Sequence, residues 1–478
     1  MNRSLALLVA IVCAGCGAGR ADWPLPNGDA AGTRAAHSAA IDAHDVARLH
    51  VAWRFRLPGP PGDSGVATAT PVVADGVVYE QDMQSDVFAL RARDGRLLWA
   101  HLFHAGTPGP NGLAVDGSAV YGSTDTTVFA LDAHDGRMRW ARRILGPRES
   151  YVDVAPLASH GVVYTATTGY GPGTRGAIYA LDERSGRIRW RFDTIRGRWA
   201  HPRVAGGGGA WQTPTLGGGT LYVGTANPLP WGGSPALPNG GAYAGPARWT
   251  DSLLALDARS GRLRWFDQVT PHDVRDHDFQ DPPVLDGGLV VGAGKAGLVL
   301  AWDARSHRRR WVARVGLHRN DEGPLPRREV SVCPGLLGGV ETPVAVAGGR
   351  VFAASVDLCY GESATGAATS AFTAVDPAAG RGVLVALDEH SGRRLWSRLL
   401  PSPPFGCTTV SNDVVFVPTY DGRITAYRAS DGRPLWQARA SAGINACPAV
   451  AGKQLLVAAG VRNRSFTKPQ YELVAYSE

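Results

Sequence analysis

One phrase governs what this chain can fold into: Ala-Leu-Asp, three residues, Gly-Arg, two residues, Trp. It stands at residues 130–140, 180–190 and 255–265, and looser copies run over 89–99, 301–311, 386–396 and 426–436, seven in all. Each copy reads as a strand, a Gly turn and a second strand ending in Trp, and β-branched stretches such as Gly76-Val77-Val78-Tyr79 precede it. An eighth copy is divided: the chain ends Ala475-Tyr476-Ser477-Glu478, the first half of the phrase, and Val51-Ala52-Trp53 supplies the missing Trp strand. A repeat shared between the termini is what ring closure requires, since it leaves no free edge. A solenoid would need a cap at each end instead. The expectation is an all-β fold over residues 23–478: an eight-bladed β-propeller, its tryptophans packed between blades and its N- and C-terminal strands closing the ring.

Composition removes several alternatives. With 44% hydrophobic and 19% charged residues, the 478-residue chain has ample material for a core, so disorder is not the default reading. The net charge of +7 comes from arginines dispersed through the Gly-Arg turns, with no basic stripe interleaved with aromatics, so no nucleic-acid partner is expected. Lysine is scarce: Lys295, Lys453 and Lys468 are the whole set.

Residues 1–22 read as an export signal, with Arg3 ahead of an apolar stretch at 5–12 that is too short to span a bilayer permanently. Ala14-Gly15-Cys16 has the look of a lipobox with Cys16 as the lipidated residue, although Cys13 stands where Leu is usual. The chain is therefore expected in the cell envelope, lipid-anchored or periplasmic or extracellular, touching membrane only through that anchor. Four further cysteines allow three pairings in an exported protein. Cys407 and Cys447 occupy equivalent strand starts in successive repeats, close to the axis, which pairs them and leaves Cys333 for Cys359. No Cys-x-x-Cys-His occurs, so no covalently attached c-type haem is expected.

Repeat spacing is uneven, and the excess lies in Gly/Pro-rich stretches at 203–209, 228–248, 322–339 and 361–382. Long loops on a rigid scaffold are where sites are built.

The Trp array, the opening segment 23–59 and four loop motifs together resemble the pyrroloquinoline quinone-dependent alcohol dehydrogenases over almost the whole mature chain. Gly206-Gly-Gly-Gly-Ala210-Trp211 is similar to the segment whose Trp forms the floor under the quinone ring, and Gly224-Thr225-Ala226-Asn227-Pro228 to the loop whose Asn carbonyl binds the metal. The segment 271–278, Pro-His-Asp-Val-Arg-Asp-His-Asp, resembles the catalytic stretch. The resemblance makes Asp276 the general base and a metal contact, and Asp278 the acid typical of lanthanide-using members. It also makes Lys295, in Gly294-Lys295-Ala296-Gly297, the partner of the quinone oxygens, and Arg175, in Gly173-Thr174-Arg175-Gly176, a further cofactor contact. It thus implies pyrroloquinoline quinone, calcium or a lanthanide held by Asn227, Asp276 and Asp278, a small alcohol or sugar substrate, and a separate electron acceptor such as a cytochrome.

Blander readings stand beside these. The polar segment 271–281 also suits a loop bonding its own backbone. His272, Asp273, His277 and Asp278 also suit a transition metal, and Lys295 a solvated surface position. The chain departs from the family pattern as well. Ala105-Gly106 stand for adjacent cysteines, Asn111 for an Arg that grips a cofactor carboxylate, Gly171 for a metal-binding Glu and Thr68 for a cofactor-contacting Glu. Two functions follow: a quinone-dependent dehydrogenase, or a non-catalytic propeller scaffold of the envelope similar to the outer-membrane assembly lipoproteins.

Overall fold

The structure, a computed structural model, describes residues 22–478 apart from 38, 62–64, 147–148, 153, 172, 196–205, 242–244 and 367–374. Nearly all of the segment expected to be an export signal, including Cys16, lies outside the described residues.

The repeat folds into blades. In blade one, Val72–Ala74, Val77–Gln81, Val87–Arg91 and Leu97–His101 form an antiparallel sheet, innermost strand first. Seven further sheets of the same plan complete an eight-bladed propeller. The eighth closes the ring: His50–Arg56 pairs with the C-terminal strand Glu472–Ser477, Trp53 opposite Ala475. Both faces of each blade are buried. In blade one Val78 and Leu90 join the cluster that holds Trp53, while Tyr79 and Ala89 pack towards blade two.

The phrase itself has a packing explanation. The Gly of each Gly-Arg turn adopts positive φ, and a Cβ there would strike the Trp of the preceding blade. At Gly136 the distance to the Trp99 ring would be 2.5 Å. The same Trp donates its indole N–H to a carbonyl of the next blade's turn, as Trp140 does to Glu183 at 2.8 Å and Trp311 to Glu389 at 2.8 Å. Blade five has His307 in place of the glycine, at φ 59°, and Trp265 stacks on its ring at 4.9 Å. Ring closure obeys the same rule, with Trp436 donating to Leu49 at 3.0 Å.

One blade departs from the four-strand plan. Ala35–Ala36 adds in parallel to Thr409–Ser411 of blade seven. The cause is the path of the N-terminal segment, which crosses the channel against the innermost strands. Trp23 bonds Val73 of blade one, and Pro24, Ala30, Ala31, Thr33 and Arg34 accept from Val115, Leu216, Leu285, Val346 and Val410 of blades two, four, five, six and seven. Arg34 is fully buried beneath it and donates to the carbonyls of Pro26, Thr408 and Pro448. Disulfides join Cys333 to Cys359 and Cys407 to Cys447, with Cα separations of 4.5 and 5.2 Å.

Candidate functional site

A cavity of about 400 Å³ opens over this crossing segment, whose Pro26 and Asn27 line it. Two blades carry its charge. Strand Thr220–Gly224 of blade four runs out into Thr225, which bridges to Phe279, and on to Asn227. Strand Leu289–Gly294 of blade five ends at Lys295, whose N–H bonds the Asp278 carbonyl at 2.9 Å. The segment carrying Asp276 and Asp278 thus lies between two strand ends. Gly294 permits that approach, since a Cβ there would stand 2.3 Å from the Asp278 carbonyl oxygen.

Four residues lock together. Lys295 Nζ lies 2.7 Å from Asp276 Oδ2 and 2.7 Å from Asp278 Oδ2. Asn227 donates through its side-chain amide to Asp276 Oδ1 and through its backbone N–H to Asp278 Oδ1, both at 2.5 Å. All four residues are buried, and all four line the cavity. Burial pushes the Asp276 carboxyl up while the Lys295 ammonium opposes that rise. Burial works against the Lys295 charge too, but the facing Asp276 and Asp278 carboxylates hold it well above the ordinary lysine range. Lys295 is thus paired and buried, not solvated.

Trp211 joins this end of the cavity, half-buried, with Tyr170 edge-on to it at 6.0 Å between centroids. The glycine run before it is packed backbone to backbone: a Cβ on Gly207, at φ 90°, would lie 2.2 Å from the Asn227 carbonyl oxygen. Arg175 is placed differently. It bridges to Gly207 and is absent from the described cavity lining, and its Nε is buried without a hydrogen-bond partner among the described residues.

The opposite side of the cavity is uncharged. Asn111 turns its amide to the Asp82 carbonyl at 2.7 Å, with Thr68 donating to its Oδ1 at 3.4 Å. Gly171, next to Tyr170 and outside the described lining, sits at φ 116°, where an added Cβ would stand 3.7 Å from Thr174, its nearest neighbour among the described residues. Among the described lining residues Lys295 is the one cation, against Asp276, Asp278 and Glu341. The sequence reading missed Glu341, which lies outside every motif. It is held by Gln280 Nε2 at 2.8 Å, and burial pushes its carboxyl up to about 7, with Lys295 opposing.

The transition-metal reading loses its imidazoles. His272 turns both ring nitrogens to carbonyls, Gly245 at 3.0 Å and Asn239 at 2.6 Å, and His277 donates through Nε2 to Pro334 at 3.1 Å. No group of three or more His, Cys, Asp or Glu residues stands ready for a metal among the described residues. A hard-cation site here therefore needs amide oxygen beside its carboxylates.

Comparison with known proteins agrees with the propeller fold. The repeat family described as outer membrane protein assembly factor BamB matches residues 84–381 and 380–468, and the glucose/ethanol/alcohol dehydrogenase β-propeller domain matches 23–112. The quinohemoprotein alcohol dehydrogenase of Comamonas testosteroni is 27% identical, over 89% of this chain and 70% of its own length. Its crystal structure superposes with a TM-score of 0.81 at 24% identity, covering 97% of this chain and 81% of that one. A europium-containing methanol dehydrogenase gives 0.78 at 18% identity, covering 96% and 98%. The chain belongs to the pyrroloquinoline quinone β-propeller family, as a homologue of the quinoprotein and quinohemoprotein alcohol dehydrogenases.

Proposed function

We propose that this protein is an exported quinoprotein dehydrogenase that oxidises the hydroxyl of a small alcohol or sugar, using pyrroloquinoline quinone and a calcium or lanthanide ion. The observation that carries this reading is the buried Asp276 carboxyl in the cavity, 2.7 Å from Lys295 and beside Trp211. A hard cation takes carboxylate and amide oxygens, and Asp276, Asp278 and Asn227 bring these groups together at one end. The flat face of Trp211 suits a planar ring. The donor chemistry of this end therefore fits the cofactor and its ion.

Once bound, the quinone with its cation supplies the two-electron sink. The chain's own residues do the rest. Asp276 takes the hydroxyl proton as general base, its carboxylate already aimed into the cavity by Asn227. Lys295 holds its ammonium against the negative charge that develops there. Apolar walls such as Leu229, Trp231 and Phe405 keep bulk water from the reacting hydroxyl. A separate acceptor such as a cytochrome would take up the electrons.

The test is protein loaded with pyrroloquinoline quinone and calcium or lanthanum, then assayed with ethanol and an artificial electron acceptor. A bound-quinone absorption band and ethanol-dependent reduction are expected. A second reading, a non-catalytic envelope scaffold, is favoured by the uncharged side at Thr68 and Asn111, which offers a cofactor carboxylate no cation. Absence of the band with either metal would establish that reading in place of the first.

A further inference from the structure

Asp276 occupies an unusual backbone position. Its φ is 64°, in the left-handed region that residues with a Cβ avoid. Such a turn persists when the surroundings over-determine it. Here the surroundings are specific. Asp273, only 2% exposed, accepts the N–H of Arg275 on Oδ1 at 2.8 Å and the N–H of His277 on Oδ2 at 2.7 Å. These are the two amides flanking Asp276. From the other side Tyr360 donates its hydroxyl to the Arg275 carbonyl at 3.0 Å, and His277 donates to Pro334. Tyr360 and Pro334 are the chain neighbours of Cys359 and Cys333, which are bonded to each other. The Arg275 guanidinium reaches away, to the carbonyls of Asn320 at 2.9 Å and Gly323 at 2.6 Å. The backbone on both flanks of Asp276 is thereby held, and its carboxylate alone is left to turn into the cavity.

We propose that Asp273 is the positioning residue of the site: its carboxylate spans the turn and fixes the left-handed conformation that presents Asp276 to Lys295 and Asn227. The catalytic consequence rests on the dehydrogenase reading; the conformational one does not. A carboxylate is the side chain suited to this task, because both of its oxygens accept. Asparagine keeps one acceptor and sets an N–H₂ against the second amide. Alanine removes both acceptors and leaves two buried N–H groups unpaired.

The experiment compares wild type, Asp273→Ala and Asp273→Asn in two measurements. Amide hydrogen exchange over residues 271–281 reads the turn directly. Turnover of ethanol by enzyme loaded with pyrroloquinoline quinone and calcium or lanthanum reads the consequence. Asp273→Ala is expected to speed exchange at the Arg275 and His277 amides about 100-fold, since their protection comes from these two bonds. It is also expected to lower kcat about 100-fold with KM within about twofold, as a misplacement of about 1 Å at the base does. Asp273→Asn falls between, with the larger change at one amide. Val385→Ala, in the buried core of blade six, should lower the melting temperature without changing either readout. Wild-type exchange at both amides in Asp273→Ala would overturn the proposal, as would a kcat loss matched by Val385→Ala at equal destabilisation. If the wild type itself shows no turnover, the dehydrogenase reading fails, and the exchange measurement still decides the role of Asp273.

Discussion

The two sides of the cavity are built on the same scaffold and differ in charge. On the side of blades four and five, two aspartates, a lysine and an asparagine amide share four contacts of 2.5–2.7 Å. On the side of blades one and two, Thr68 and Asn111 spend their polar groups on one another and on the Asp82 carbonyl. The first side is organised to stabilise charge and the second to avoid it. The difference teaches that the propeller holds its loops in place whatever they carry, so one half of a site can be rewritten while the other is kept. It also locates where the two functional readings part, since a ligand carboxylate has a partner on one side only.

The largest expected effect tests the charged side. Asp276→Asn should cut ethanol turnover by about 10²–10⁴-fold, the range for loss of a general base. The melting temperature should stay within about 3 °C, because Asp278 still pairs with Lys295 and the desolvation cost of the buried Asp276 carboxylate is relieved. Turnover that survives this change would mean that the locked network is structural and that the two sides are alike in function.

A smaller effect probes the uncharged side. Asn111→Arg restores a cation there, and quinone binding should tighten about tenfold, as a charge-assisted hydrogen bond to a carboxylate provides. Equilibrium titration of the quinone absorption band reads this. Unchanged affinity would show that the carboxylates of the cofactor do not reach that side.

The smallest effect concerns Glu341, the third acid of the lining. Burial raises its folded pKa to about 7 from 4.5, so the folded chain keeps a proton that the unfolded chain releases. Its stabilising contribution is therefore full below about pH 4.5 and lost as pH rises through about 7. Glu341→Gln should flatten the fall in melting temperature between those limits, by about 2 °C for a chain of this size. Calorimetry at the two ends of the window measures it, and an unaltered slope would mean that Glu341 is ionised throughout.

Not every part of the site was equally legible beforehand. Trp211, Asn227, Asp276, Asp278 and Lys295 stand in contiguous phrases, so short-range pattern was enough to single them out. Arg175 stood in such a phrase too, yet its backbone bridges to Gly207 and it is absent from the described lining. Glu341 and Tyr170 belong to no phrase and reach the cavity because blade order brings them there. Asp273 was visible as a polar loop residue, but its two bonds across Asp276 depend on a backbone turn that residue identity does not display.

By itself the sequence determined the ring. A phrase with Trp at one end and Gly at the turn can satisfy both only if each Trp covers the next glycine, and a phrase divided between the termini closes the circle. That logic is local and repeated, so seven copies announce it. Which charges face each other across the axis was decided only by the tertiary structure. Lys295 meets Asp276 and Asp278 because separate strand ends converge there, and Asn111 turns away because a backbone carbonyl of blade one accepts its amide. Contacts between loops of different blades follow from the distance between strand ends, and no spacing along the chain encodes that distance.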